Sequence, residues 1–193
     1  MTDFLATIEH LFSPIDAWGE FRRGARPAAV AFVLFERDGA WKVPFVRRRD
    51  DLPDHPGQVA LPGGGVRAGE AAWDAAQREV AEEIGVPVGR LIPLGAGEPV
   101  YAAVTNFSVV PFLAHLPDPV PAFIHDRREL EGVIEIPLDR LLDDSAWLVS
   151  DAPWRFRYLA HEESVVWGLT ERIFYGLAPR LREALSGSGH AAG

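Results

Sequence analysis

Apolar and polar positions along this chain fall into short blocks whose period changes repeatedly. Residues 3–11 space their apolar side chains at helical intervals and predict a short amphipathic helix. Residues 28–35 form an apolar run rich in Val and Phe, which predicts a strand. Arg37-Asp38-Gly39 is turn chemistry, and residues 41–46 predict the partner strand of a hairpin. Pro44 within that strand predicts an edge position or a bulge. Residues 50–57 are polar and carry Pro53 and Pro56, so they predict a loop. Leu61-Pro62-Gly63-Gly64-Gly65 reads as a glycine-rich turn.

Residues 70–84 give the clearest helix, rich in Ala and Glu and stopped at Gly85-Val86-Pro87. Strands are expected over 91–94, 100–104 and 107–116, and the chain breaks at 118–121. A strand over 133–136 leads into a short helix over 137–142. Residues 155–160 alternate and predict another strand. Residues 166–185 predict a helix with a break near Pro179. Trp167 and Phe174 lie one heptad apart and are expected in the core. Strands and helices mix without strict alternation. The fold class expected is α/β of the α+β type, a mixed β-sheet with helices on its faces.

The chain has 193 residues, 48% of them hydrophobic, enough for one core. We read residues 28–185 as that domain, 1–27 as a helix and lead-in, and 186–193 as a flexible tail. Cysteine is absent, which excludes disulfides, thiolate metal sites and a cysteine nucleophile. The start of the chain has no signal-peptide pattern, and no apolar run is long enough to span a bilayer. A cytoplasmic protein with no membrane partner is the expectation. The formal charge of −9 speaks against a nucleic-acid partner but not against a phosphorylated small molecule. Two arginine clusters, Arg47-Arg48-Arg49 and Arg127-Arg128, face either solvent or such a ligand.

The chemistry gathers on the helix of residues 70–84. At 100° per residue, Glu79, Glu82 and Glu83 lie within about 100° of one another. Ala72 and Ala76 share that arc, while Asp74, Gln77, Arg78 and Ala81 are expected on the opposite side. Like charges at i,i+4 destabilise a helix by about 0.2–0.5 kcal/mol, and the helix C-terminus disfavours negative charge. A divalent cation removes both penalties, and magnesium favours carboxylates, water and phosphates. A solvated face with Arg78 paired to Glu82 or Asp74 is the alternative. Gly63-Gly64-Gly65 just upstream offers backbone N–H groups for an anion.

These residues match a known signature. Gly64, Glu70 and Arg78-Glu79-Val80-Ala81-Glu82-Glu83-Ile84-Gly85-Val86 satisfy every specified position of the Nudix box. The chain therefore resembles the Nudix hydrolase superfamily. The resemblance implies an α/β/α sandwich around a mixed sheet. It implies Glu79, Glu82 and Glu83 as metal ligands and catalytic residues, supported by Glu70 and Arg78. The cofactor implied is Mg2+, with Mn2+ as a substitute ion. A glutamate outside the box often serves as general base in this family, and Glu98, Glu129, Glu131 and Glu162 are candidates here.

Residues 52–64, from Leu52 through His55, Gly57, Gln58 and Val59 to Pro62-Gly63-Gly64, are similar to the upstream motif of the coenzyme A pyrophosphatase branch. Residues 165–173 are similar to that branch's final helix. The departures are Pro53 for its Arg, Leu61 for its Phe, Val46 for its Thr and Arg49 for its Ser. The branch resemblance implies Arg47, Arg48, Arg49, His55, Gly57, Gln58, Gly63 and Gly64 as substrate-binding positions, although His55 also reads as an ordinary loop histidine and Gln58 as an orienter of the glycine loop. It implies hydrolysis of coenzyme A or a derivative to 4′-phosphopantetheine (or its acyl form) and 3′,5′-ADP. ADP-ribose, NADH and dinucleoside polyphosphates are the alternative substrates, and a non-catalytic nucleotide-sensing module is the alternative of another class. A homodimer is left open.

Overall fold

The computed structural model describes residues 2–18 and 21–188. The expected tail over 186–193 therefore lies mostly outside the described residues. Helix α1 spans Thr2–Leu11, followed by strands β1 (Arg26–Arg37), β2 (Ala40–Arg48), β3 (Val59–Ala60) and β4 (Gly63–Gly65). Helix α2 (Ala72–Ile84) leads into β5 (Ile92–Ala96), β6 (Val100–Ala102), β7 (Phe107–His115) and β8 (Leu130–Pro137). Helix α3 (Leu138–Leu142), β9 (Trp147–Val149), β10 (Arg157–His161), β11 (Ser164–Trp167) and α4 (Leu169–Ser188) complete the order.

Strand β1 is the axis of the molecule. It runs parallel to β7 and antiparallel to β2 and β4, so the sheet is mixed as expected. Its alternation separates two cores. Phe32 and Leu34 face α1 and α4, with Phe4, Ile8, Phe174 and Leu181. Ala29, Ala31, Val33 and Phe35 face α2, with Ala75, Ala76, Val80 and Ile84. Helices thus cover both faces, giving the α/β/α sandwich. Alanine on both sides of the second contact lets α2 lie close to the sheet. Residues 2–11 contribute Phe4 and Ile8 to the same core as α4.

Several local expectations need correction. Residues 166–185 are not one helix. Ser164 and Val166 are buried while Val165 and Trp167 are exposed, a period of two that makes β11. Gly168 then turns the chain at φ 68 into α4. Pro179 sits inside α4 without ending it. It lies on the exposed face, as does Tyr175, whose carbonyl loses its i+4 donor where water can replace it. Trp167 is 46% exposed, while Phe174 is buried and stacks on Trp147 at 5.4 Å. Pro44 sits in no bulge, and β2 is no edge strand, because β8 pairs along it. The β1 ladder stops at Lys42 and β3 resumes it at Val46, so Pro44 occupies the gap between them. The register shift falls instead between Arg47 and Arg48. Residues 63–65 are a short strand on β1 rather than a free turn.

Candidate active site

Strand β4 lies directly on α2, and that contact builds the site. At Gly64 a Cβ would fall 2.5 Å from Glu79 Oε1, so only glycine lets the carboxylate rest on the backbone. The Gly63 N–H donates to Glu83 Oε2 at 3.0 Å. Gly63-Gly64 thus meets both carboxylates one turn apart on α2.

Helix α2 starts at Ala72, two residues later than expected, because Glu70 has other work. Its carboxylate accepts from Arg78 Nε at 2.8 Å and Nη2 at 3.1 Å, and from the Arg67 N–H at 2.8 Å. These bonds hold the Glu70 carboxyl at about 2, below its ordinary 4.5, with the Arg78 hydrogen bonds as the largest cause. Arg78 also donates to Glu79 Oε1 at 2.6 Å and to the Gly65 carbonyl at 3.0 Å. The expectation that Arg78 stands opposite the carboxylates is therefore wrong. It is i−4 from Glu82 and adjacent to Glu79, and its long side chain bridges them to the loop. The alternative pairing of Arg78 with Glu82 exists, at 3.4 Å, as one contact within this larger network. At the far end of α2, Gly85 takes φ 74 and donates to the Ala81 carbonyl, ending the helix in a left-handed cap.

Glu83 is pushed up to about 8, first by burial, then by the charges of Glu79 and Glu129, against the Gly63 N–H and Arg48. Glu82 stands apart, 52% exposed and paired with Arg67 and Arg78 at 3.4 Å each. Among the described residues, no three carboxylate or imidazole groups are gathered as a ready metal cage. The donors nonetheless suit a hard divalent cation. Glu79 and Glu83 offer carboxylate oxygens one turn apart against Gly63-Gly64, and a bound cation would offset the burial that penalises the charged form of Glu83.

The substrate-binding candidates surround this pair unevenly. Arg47 is bound to Glu131 at 2.7 Å and Asp50 at 3.2 Å. Arg49 is bound to Asp51 at 2.6 Å and to the Arg127 carbonyl at 2.9 Å. Arg48 reaches the Asp54 carbonyl at 3.3 Å and Glu129 at 3.8 Å, and its charge acts on Glu83. His55 is exposed with φ 55, and its carbonyl accepts from the Gln58 N–H at 3.2 Å. The Gln58 carbonyl accepts from Arg48 N–H at 3.0 Å, which ties the loop to β2. Gly57 lies against Asp50. Among the outside glutamates, Glu129 acts on the charge of Glu83. Glu131 is held by Arg47, Glu98 faces Arg180 at 3.9 Å, and Glu162 is exposed in the β10–β11 turn. Arg67, which the sequence reading passed over, braces Glu70 through its N–H and Glu82 through its side chain. Its place in the loop between Gly64 and Glu70 was the available signal.

A mixed sheet between helices, with a glycine strand laid on a carboxylate helix, is the framework of a hydrolase of phosphate anhydrides. Residues 25–158 match the NUDIX domain, and the chain belongs to the Nudix family. It is a Nudix hydrolase acting on a pyrophosphate substrate, in a family that generally uses divalent metals. An uncharacterized Nudix hydrolase NudL of Yersinia enterocolitica is 30% identical over 169 residues, covering 84% of this chain and 85% of its own. The fold is that of a C. elegans Ap4A hydrolase in a binary complex, with TM-score 0.54 at 19% identity over 85% of this chain and 98% of that one. It is also that of the NUDIX domain of Shewanella oneidensis NrtR with ADP ribose, with TM-score 0.53 at 18% identity over 85% and 90%. No helix among the described residues is long and apolar enough to cross a membrane.

Proposed function

We propose that this Nudix hydrolase is a coenzyme A diphosphatase, releasing 4′-phosphopantetheine (or its acyl form) and 3′,5′-ADP. The observation that carries the proposal is the continuity of the His55-x-Gly57-Gln58-Val59 motif with the Gly63-Gly64 strand, which rests on Glu79 and Glu83. A substrate read by that loop meets the carboxylates within a few residues of chain. Thr170 at the start of α4 donates to the Val59 carbonyl at 3.3 Å, so the second stretch similar to the branch braces the first.

Glu79 and Glu83 would hold magnesium, with Glu82 joining from the exposed side. Bound magnesium supplies neutralisation of the diphosphate and acidification of a water. Gly64 leaves room for the carboxylates at the loop backbone. Glu70 and Arg78 fix the loop and the Glu79 carboxylate. Glu129, which lies 3.8 Å from Arg48 on the turn before β8, is the general base we assign, and it would take a proton from the attacking water.

The test is a substrate panel with magnesium and products identified by mass. It contains coenzyme A, dephospho-coenzyme A, ADP-ribose, NADH and a diadenosine polyphosphate. Preferred turnover of coenzyme A with 3′,5′-ADP released is the expected result. Equal or better turnover of ADP-ribose or NADH would remove the coenzyme A assignment and leave the Nudix chemistry.

A further inference from the structure

An open cleft of about 490 Å3 is lined by Arg49, Asp50, Asp51, His125, Arg127 and Glu131, so that its residues flank Glu129 in the chain. Its acids already have cationic partners. Arg47 holds Asp50 and Glu131, and Arg49 holds Asp51. Arg127 differs from its neighbours. Its backbone carbonyl is pinned by Arg49, but its guanidinium has no ion pair among the described residues. The adjacent Arg128 is tied to Asp126 at 2.6 Å and is not available in the same way.

The turn that presents Arg127 is well braced. Asp126 accepts from the Arg128 N–H through its side chain, and from the Glu129 and Leu130 N–H groups through its carbonyl. Two residues on, Glu129 faces Arg48 and Glu83. One turn therefore carries the Glu129 carboxylate, 3.8 Å from Arg48, and an unpaired guanidinium in the cleft. The Arg49–Asp51 pair lies at the surface, where such pairs exchange partners at little cost.

We propose that Arg127, with Arg49 and His125 beside it, is a subsite for a phosphate monoester on the nucleoside half of the substrate. Resting on the coenzyme A reading, this monoester is the 3′-phosphate. A guanidinium without a carboxylate partner offers a planar fork to a dianion, the geometry arginine uses for phosphate. Arg47 and Arg48, of the cluster that the sequence draws attention to, spend their charge on local carboxylates. Arg127 thus determines specificity and takes no part in bond cleavage.

The test is calorimetric binding of 3′,5′-ADP and 5′-AMP, with magnesium, to wild type, Arg127→Ala and Arg155→Ala. Wild type binds 3′,5′-ADP about tenfold more tightly, as one charge-assisted contact implies. Arg127→Ala brings the two affinities together. Arg155→Ala makes the same charge change in the exposed β9–β10 connection and preserves the ratio. A ratio that survives Arg127→Ala, or equal affinities in wild type, overturns the subsite. Coenzyme A turnover by the same preparations separates the two readings. Turnover of coenzyme A without discrimination for 3′,5′-ADP removes the subsite alone. Discrimination that depends on Arg127, without coenzyme A turnover, supports the subsite and removes the diphosphatase assignment.

Discussion

Single residues in this molecule do work that their type alone does not announce. Glu70 lies just before Ala71, the N-cap residue of α2, which makes no side-chain cap. The Glu70 carboxylate turns to Arg78 and the Arg67 N–H. Its folded value near 2 lies below 4.5, so the charged form is favoured by folding. The resulting stability is fully present above about pH 4.5 and is lost as pH falls through about 2. Urea unfolding of wild type and Glu70→Gln at a series of pH values checks this. The variant is less stable at pH 7, and the gap narrows as pH falls below about 4.5. A gap of constant size across that range would mean the ion pair is not its source. The resemblance to the box implied Glu70 and Arg78 as residues that support the loop and the glutamates. The helical wheel set Arg78 on the opposite side because it ignores the length of an arginine side chain, which here reaches Glu79 and the Gly65 carbonyl.

Among the elements, α2 was legible because its period, its glycine stop and its carboxylates agree. Its start was not. Ala71 occupies the N-cap position with extended backbone, φ −72 and ψ 148, and no side-chain hydrogen bond. That geometry is already the one a capping serine adopts. Ala71→Ser should therefore stabilise the fold by about 0.5–2 kcal/mol, measured by chemical denaturation. No gain would show that the N–H groups of the first turn of α2 draw nothing from a side-chain cap at position 71. The end of the chain misled for another reason. Val165 to Leu169 is apolar at nearly every position, so neither period stands out, and only burial separates β11 from α4. Strand β4 was hidden because three glycines carry no strand propensity. Its backbone pairing with β1 holds it, and its lack of side chains admits Glu79.

At the scale of the whole molecule, the mixed element order was enough to foresee a sheet with helices on both faces. The alternation of β1 explains why. One strand with apolar residues on both faces needs a helical layer on each side, and α2 on one face meets α1 and α4 on the other. The parallel pairing of β1 with β7, and the way β2 carries the sheet onward to β8, could not be read from local pattern. Those pairings join residues far apart in sequence. They also assemble the site, since Glu83, Arg48 and Glu129 come from α2, β2 and the turn before β8. The acidic chain is consistent with this arrangement. Many of its basic side chains are paired with carboxylates, among them Arg37, Arg47, Arg49, Arg78 and Arg182. Glu79 and Glu83, set against Gly63-Gly64, are the residues proposed to carry magnesium-dependent hydrolysis of a diphosphate. The most direct measurement is magnesium-dependent cleavage of coenzyme A by wild type and Glu83→Gln, with circular dichroism on both. Folded Glu83→Gln protein with turnover lowered about a thousandfold is expected, the scale of losing a metal ligand's contribution to the transition state. Folded Glu83→Gln protein working near the wild-type rate would contradict it.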